Sequence, residues 1–350
     1  MKSINTGISK NILTRSKTIH KESIFINALD STRIAEGDDE YIAKLKQSGV
    51  TAINHTVAST AETIDAMRSI VDWWKVYTRY PDDIIIGVSL EDIWRAKEEN
   101  KVAVFFGFQD THPMGDQIHL FEIFHKLGIK FIQPTYQRRN FIGDGCGEPG
   151  NAGLSKYGHQ VVKELNRLGI VIDLSHVGIQ TTLDIIKHSD HPVTVTHSGA
   201  RALCDTVRNK TDEEIKALAD CGGVICIAVK SGFLKPDGLK FGSTIDDYIN
   251  HIDYIAELVG IDYVGIGTDM GDERKYTLER MRAFHKKHPE VAIIDENLDI
   301  EKMHTAGLNS PGLINNITPM LLKRGFSEDD IKKVLGKNLM RILNQVWKNK

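Results

Sequence analysis

Eight short apolar runs, each rich in Val and Ile and each followed by a longer amphipathic stretch, constrain the fold of this 350-residue chain more than any other feature. The runs are IFINA (24–28), TAINHTV (51–57), VAVFFGF (102–108), IKFIQPT (129–135), IVIDLS (170–175), VTVTH (193–197), GVICIAV (223–229) and YVGIGTD (263–269). Runs apolar at consecutive positions suit strands buried on both faces, as in a parallel sheet whose crossovers are helices. The predicted helices lie between them, at 38–48, 61–78, 116–127, 156–168, 178–188, 211–221, 245–259 and 327–346. Thr211 with Glu214 forms a capping box, and Gly128, Gly169 and Gly260 stand where a helix gives way to a strand. A ninth run, IIIGV (84–88), leads straight into a capped helical segment at Ser89–Asp92 and is read as a short strand or turn outside the count. Eight βα units predict an α/β chain closed as a (β/α)8 TIM-type barrel. It forms a single domain over residues 21–350 after a polar N-terminal extension, 1–20, with an irregular excursion at about 271–310. In such a barrel the reactive groups come from the C-terminal ends of the strands.

Charge and composition narrow the function classes. The net charge of −3 gives no basic excess for a phosphate backbone, so nucleic acid is not expected as a partner. Cys146, Cys204, Cys221 and Cys226 show neither CxxC spacing nor a disulfide framework and are read as reduced core thiols. The first twenty residues lack the apolar stretch of a signal peptide, and no segment has the length of a membrane span. A soluble, cytoplasmic protein with no membrane partner is expected.

Polar residues that end apolar runs are the candidate site. In GIVIDLSHV the apolar run stops at Asp173 and Ser175 and His176 falls at the mouth, and His197 ends VTVTH on the next strand. Tips of adjacent strands lie about 4.8 Å apart, close enough for two imidazoles to share one metal ion. The alternative for each is a hydrogen-bonded rim residue. Asp269 at the tip of the last run is a candidate general base or late ligand, and Asp30 and Asp110 end the first and third runs. His55 ends the second run and is a further candidate for the mouth; the remaining histidines are read as surface or packing residues, with His20 and His304 left unplaced. Neither an HxH pair after strand one nor a lysine after strand four is present, the two devices by which many barrel hydrolases hold a second metal.

At these residues the chain resembles the renal (membrane) dipeptidase family, over roughly residues 24 to 345. The resemblance is carried by DLSHVG (173–178), HPVTVTHSGARALCDTVRN (191–209), TDEEIKALADCGGVICI (211–227) and HIDYIAELVGIDYVGIGTDM (251–270). It implies a barrel of the metal-dependent hydrolase superfamily, commonly a binuclear zinc enzyme that cleaves dipeptides and is often a homodimer. It further implies that His176 and His197 ligate one metal, that Asp269 handles proton transfer, and that Arg208 grips a substrate carboxylate.

The departures from the family pattern are as specific. The usual Asp-Gly-His-Asn-Asp reads Asn27-Ala28-Leu29-Asp30-Ser31, so the His and Asp ligands of the other metal position become Leu29 and Ser31. The bridging glutamate aligns with Phe106, before Gly107, with Gln109 and Asp110 the nearest polar groups. The histidine that often follows strand four falls at Tyr136, as in a bacterial subgroup reading Thr-Tyr-Asn-x-Arg-Asn there. The resulting expectation is a hydrolase that holds one divalent ion, zinc, on His176 and His197 and acts on a small carboxylate-bearing amide, with Tyr136 or Arg139 assisting at the oxyanion. Two other expectations stand beside it: a repurposed family member that binds a carboxylate without chemistry, and metal-independent acid–base chemistry by Asp30 and Asp269.

Overall fold

The computed structural model describes residues 8–32, 39–270 and 299–347, together with 279, 282, 283 and 286. Most of the predicted excursion at 271–310 lies outside the described residues. Among the described residues there are nine strands: β1 (Ile26–Asp30), β2 (Ala52–Ala58), β3 (Ile84–Ile86), β4 (Val102–Phe108), β5 (Ile129–Ile132), β6 (Val171–Ile172), β7 (Thr194–Ser198), β8 (Val224–Ile227) and β9 (Val264–Ile266). All pair in parallel, in one sheet of order β1-β2-β4-β5-β6 and a second of order β7-β8-β9. β3 pairs only with the first half of β4, Ile84 to Ile86 against Val102 to Val104, on the edge that β5 takes further along. This is the run that the sequence set apart from the eight.

Two seams join the sheets. At the first, Asp173 bridges Thr194 in parallel and the Leu174 amide donates to the Thr194 carbonyl at 2.8 Å. At the second, Asp30 bridges Met270, with the Asp269 amide on the Leu29 carbonyl at 3.1 Å and the Ser31 amide on the Met270 carbonyl at 2.8 Å. The seams are stitched by side chains as well. Asn27 Nδ2 donates to Thr268 Oγ1 at 3.1 Å, and the Thr268 amide donates back to Asn27 Oδ1 at 2.8 Å.

Alternation along the strands divides the core into two layers. Ile53, Val104, Phe106, Phe108 and Ile132 pack outward against the helices, as on Ile70, Trp73 and Tyr77 of the helix Thr63–Tyr77. Ala28, Ala52, Phe105, Phe131, Val171, Val224 and Cys226 face the other way and meet Leu339, Ile342 and Leu343 of the helix Asn338–Trp347. Residues within the expected polar extension form the helix Lys10–Glu22, which buries Ile19 and seats His20 on the Ser48 carbonyl at 2.6 Å. No disulfide joins any of the four cysteines. No helix among the described residues is long and apolar enough to cross a membrane.

Candidate active site

The seam between β6 and β7 builds the site. The buried Asp173 carboxylate takes the Ser175 and Thr196 amides at 3.0 and 2.9 Å on Oδ1, and the Ser175 hydroxyl on the same oxygen at 2.5 Å. The Thr196 hydroxyl donates to its Oδ2 at 2.6 Å. That hydroxyl proton is therefore committed, and the contact of 2.8 Å between Thr196 Oγ1 and His197 Nδ1 must be an Nδ1–H donating to oxygen. His197 is thus the tautomer whose Nε2 carries a lone pair, the arrangement by which metal-binding histidines are usually oriented. The ring is fully buried, and burial pushes its pKa down to about 3, with Asp173 opposing and the Arg208, Lys230 and Lys210 charges adding to the fall.

His176 meets it directly. The two Nε2 atoms stand 2.9 Å apart with the rings tilted by 59°. Arg208 Nη2 lies 3.0 Å from the same His176 Nε2, and its Nη1 donates to the Ser175 carbonyl. Arginine has no acceptor, so His176 Nε2 is an acceptor too. Two lone pairs then face each other, an arrangement that a cation between them relieves. Tyr136 stacks on the other side of the His176 ring, with centroids 4.1 Å apart.

The loop that carries Tyr136 is laced to the His176 segment. The Cys146 amide donates to the His176 carbonyl at 2.8 Å, and Gly145 bridges Val177. A Cβ on Gly145 would stand 2.2 Å from the Tyr136 carbonyl oxygen, so no larger residue fits. Arg139, expected near the oxyanion, instead spends its fork on Asp144, with Nε 2.5 Å from Oδ1 and Nη2 3.1 Å from Oδ2. The loop that carries Arg208 is held from behind by the buried His251, which accepts the Ala200 amide at 2.9 Å and donates to the Leu234 carbonyl at 3.1 Å.

Around the rest of the rim the structure sorts the other candidates by the direction they face. Asp269 is half-buried at the β9–β1 seam, with φ of 50° in the left-handed region. That conformation costs an aspartate about 1 kcal/mol or more and persists only where the surroundings impose it. Gln109 reaches from β4 to Thr56 on β2, Nε2 to Oγ1 at 2.9 Å. Asp110 beside it accepts the Thr111 amide at 2.7 Å and Asn140 Nδ2 at 3.0 Å, and burial raises its pKa to about 6.

Three expectations need correcting. His55 does not face the mouth: its ring packs edge-on to Trp73 at 3.9 Å and Tyr77 at 5.9 Å, on the outer side of β2. Asp30 is turned the same way, 3.7 Å from His55 Nδ1 and close enough to add to the rise that burial causes in the pKa of Tyr41 and Tyr77, so it does not share a cavity with Asp269 for acid–base work. Phe106 is likewise an outer residue, 6.2 Å from the Tyr77 ring, and the inward positions at that level are Phe105, Gly107 and Gln109. No carboxylate replaces the missing bridge there. Leu29 is buried at the β9–β1 seam, and Ser31 Oγ donates to the Met270 carbonyl at 3.1 Å.

The sequence left two residues unassigned. Lys230 follows β8 and its Nζ donates to Nε2 of the buried His304 at 2.9 Å. Burial and the Lys230 charge hold His304 well below its usual pKa, with Asp269 opposing. Lys230 thus stands between His197 and Asp269 in strand order. It could have been found by the rule that found His197, since it is the first polar residue after an apolar run. His304, 74 residues further on, follows no such run.

Among the described residues no three His, Cys, Asp or Glu side chains come together as a metal-binding group. The donor set that fits a cation is the pair of imidazoles, leaving the remaining positions of its shell to water and substrate.

Comparison with known proteins agrees with this architecture. The family model for membrane dipeptidase (peptidase family M19) matches residues 21–286. Dipeptidase tcpJ of Claviceps purpurea is 26% identical over 298 residues, which are 84% of this chain; the chain spans 62% of that relative's length. An amidohydrolase from Pseudomonas aeruginosa is 35% identical, with a TM-score of 0.86 over 95% of this chain and 99% of that one. The fold is shared with a metallopeptidase from Rhodobacter sphaeroides liganded with a phosphinate mimic of L-Ala-D-Ala. It is 16% identical, with a TM-score of 0.77 over 93% of this chain and 100% of the other. Sequence and architecture together make this chain a member of the membrane dipeptidase family, peptidase family M19.

Proposed function

We propose that the chain hydrolyses a dipeptide or another small carboxylate-bearing amide with the help of one divalent cation, zinc, held by His176 and His197. We further propose that its two sheets are arcs of one closed (β/α)8 barrel whose strand tips carry the site. The observation that carries the reading is the pair of Nε2 lone pairs 2.9 Å apart, one of them fixed by the chain from Asp173 through Thr196 to His197 Nδ1. A bound ion there supplies Lewis acidity and activation of water. The protein's own groups supply the rest. Asp269 accepts the proton of the attacking water and returns it to the leaving amine. Arg208 binds the substrate carboxylate through its planar fork. Tyr136 keeps the His176 ring in place by stacking, and the dipeptidase relatives support the substrate class.

The test is metal analysis by calorimetry and mass spectrometry of the full chain beside His176→Ala. Wild type should take up about one equivalent of zinc and the variant less than a tenth of that, with loss of dipeptide hydrolysis. Wild-type protein that binds no zinc would sink the proposal.

A further inference from the structure

Among the described residues Lys210 is the only buried lysine, with 3% of its surface exposed. Its ammonium carries three N–H bonds, and each has an acceptor: the Val177 carbonyl at 2.9 Å, Thr182 Oγ1 at 3.0 Å and Glu214 Oε1 at 2.9 Å. The acceptors belong to three segments, the turn that follows His176, the helix Ile179–His188 and the helix Asp212–Asp220. The backbone of Lys210 is tied to a fourth. Its amide donates to the Gly199 carbonyl at 3.0 Å and its carbonyl accepts the Arg201 amide at 2.8 Å, just past His197. One residue thus spans the β6–β7 seam, from the tip that bears His176 to the loop that bears Arg208.

Stability alone does not account for this arrangement. Burying an ammonium and a carboxylate strips both of water, and a packed apolar pair of similar volume is often at least as stable. An apolar residue at 210 would fill the space between the helices but could not hold the Val177 carbonyl. Glu214 is itself fixed in direction, since its Oε2 closes the capping box on the Thr211 amide and hydroxyl at 2.9 and 3.0 Å. The ammonium is therefore anchored on one side by a helix terminus and delivered on the other to the residue next to His176.

We infer that Lys210 is a positioning residue: through the Val177 carbonyl it sets where the His176 imidazole stands against Arg208 and Tyr136. The inference rests on the proposed function, in which His176 is a working group, and makes no use of an ion between the imidazoles.

The His176 ring carries a signature that a general loss of stability would not move. It stacks on Tyr136 with centroids 4.1 Å apart and an interplanar angle of 23°, so the tyrosine ring current shifts its Cε1–H resonance upfield. That resonance is identified by its loss in His176→Ala. The test compares the full chain with Lys210→Met/Glu214→Gln, in which no buried charge is left alone and the amide oxygen still closes the cap. The double variant should fold with its unfolding midpoint retained. Its His176 resonance should move downfield, and kcat for dipeptide hydrolysis should fall about 100-fold, more than KM rises, as for a displacement near 1 Å. A folded double variant in which either the resonance or kcat stays at the wild-type value overturns the inference. If it does not fold, Lys210→Arg decides. Arginine keeps the charge opposite Glu214, but a planar fork does not match three acceptors set around a tetrahedral ammonium, so an unmoved resonance there overturns the inference. Wild type that hydrolyses no dipeptide overturns the proposed function, and the resonance then tests the position of His176 by itself.

Discussion

Thr196 decides which nitrogen of His197 is free, and it does so with one hydroxyl proton. Because that proton goes to Asp173 Oδ2 at 2.6 Å, the oxygen can only accept from His197 Nδ1. Thr196→Val, nearly isosteric, should leave the Nδ1–H unpaired in a fully buried site and lower metal affinity or activity by about 10- to 100-fold. Histidine 15N chemical shifts should show mixed tautomers in Thr196→Val and one tautomer in Thr196→Ser. Unchanged shifts in the valine variant would refute the assignment. Asp110 makes a residue-scale prediction of a different kind. Its folded pKa of about 6 lies above the ordinary carboxylate value of 3.8, so the folded chain holds a proton that the unfolded chain has lost. The sign is the reverse of the salt-bridged case: stability falls as pH rises from about 4 to about 6, and the penalty is complete above that window. Asp110→Asn keeps the Oδ1 that accepts from Thr111 and Asn140. It should gain up to about 3 kcal/mol relative to wild type at pH 8 and nothing at pH 3.5, measured by urea unfolding. Legibility at this scale followed one rule. His176, His197 and Asp269 were readable because each is the polar end of an apolar run. Phe106 and His55 were misplaced because a run buried on both faces carries no sign of which residue points in.

Elements were legible where periodicity had room to act and blurred where side chains took over from the backbone ladder. The run 170–175 reads as a six-residue strand, yet β6 is only Val171–Ile172, since from Asp173 onward the carboxylate carries the bonds that a neighbouring strand would supply. The loops that present Tyr136 and Arg208 have no period at all, and their supports come from distant residues. Gly145 is one such support. With its Cβ 2.2 Å from a carbonyl oxygen, Gly145→Ala must push the Tyr136 loop away from Val177. It should lower activity about tenfold or more with a smaller loss of stability, since a displacement near 1 Å is enough for that. Kinetics beside thermal unfolding checks it, and wild-type activity would refute the loop's role. His251 supports the other loop and is held neutral by burial, its pKa lowered to about 4. Here the folded chain refuses a proton that the unfolded chain takes, so its contribution is present above pH 6.5 and is lost as pH falls towards 4. His251→Ala would also strand the Ala200 amide and the Leu234 carbonyl, at a cost of about 2 to 5 kcal/mol.

For the whole molecule the question is whether the two sheets behave as one body, and the β9–β1 seam is where that can be asked. Thr268 sits at its centre, fully buried: its amide donates to Asn27 Oδ1 at 2.8 Å, its hydroxyl accepts from Asn27 Nδ2 at 3.1 Å and donates to the Leu29 carbonyl at 3.2 Å. Thr268→Val keeps the volume and leaves Asn27 Nδ2 and the Met270 amide, which also donates to this hydroxyl at 3.2 Å, without that partner, a cost of about 2 to 4 kcal/mol for two unsatisfied buried groups. The tryptophans make the location of that loss visible. The rings of Trp73, Trp74 and Trp347 pack on His55, Phe106, Phe105 and Phe131 of the six-stranded sheet, whereas Thr268 follows β9 of the other sheet. If the seams close one cooperative barrel, the tryptophan fluorescence transition of Thr268→Val in urea must move to lower denaturant together with the far-ultraviolet circular dichroism transition. If the sheets unfold separately, fluorescence stays at the wild-type midpoint while circular dichroism splits into two steps. Coincident, shifted transitions would mean that a hydroxyl on the three-stranded side stabilises side chains on the far side of the seam. The precision of a two-imidazole site depends on the same property, because His176 and His197 reach each other from opposite sheets.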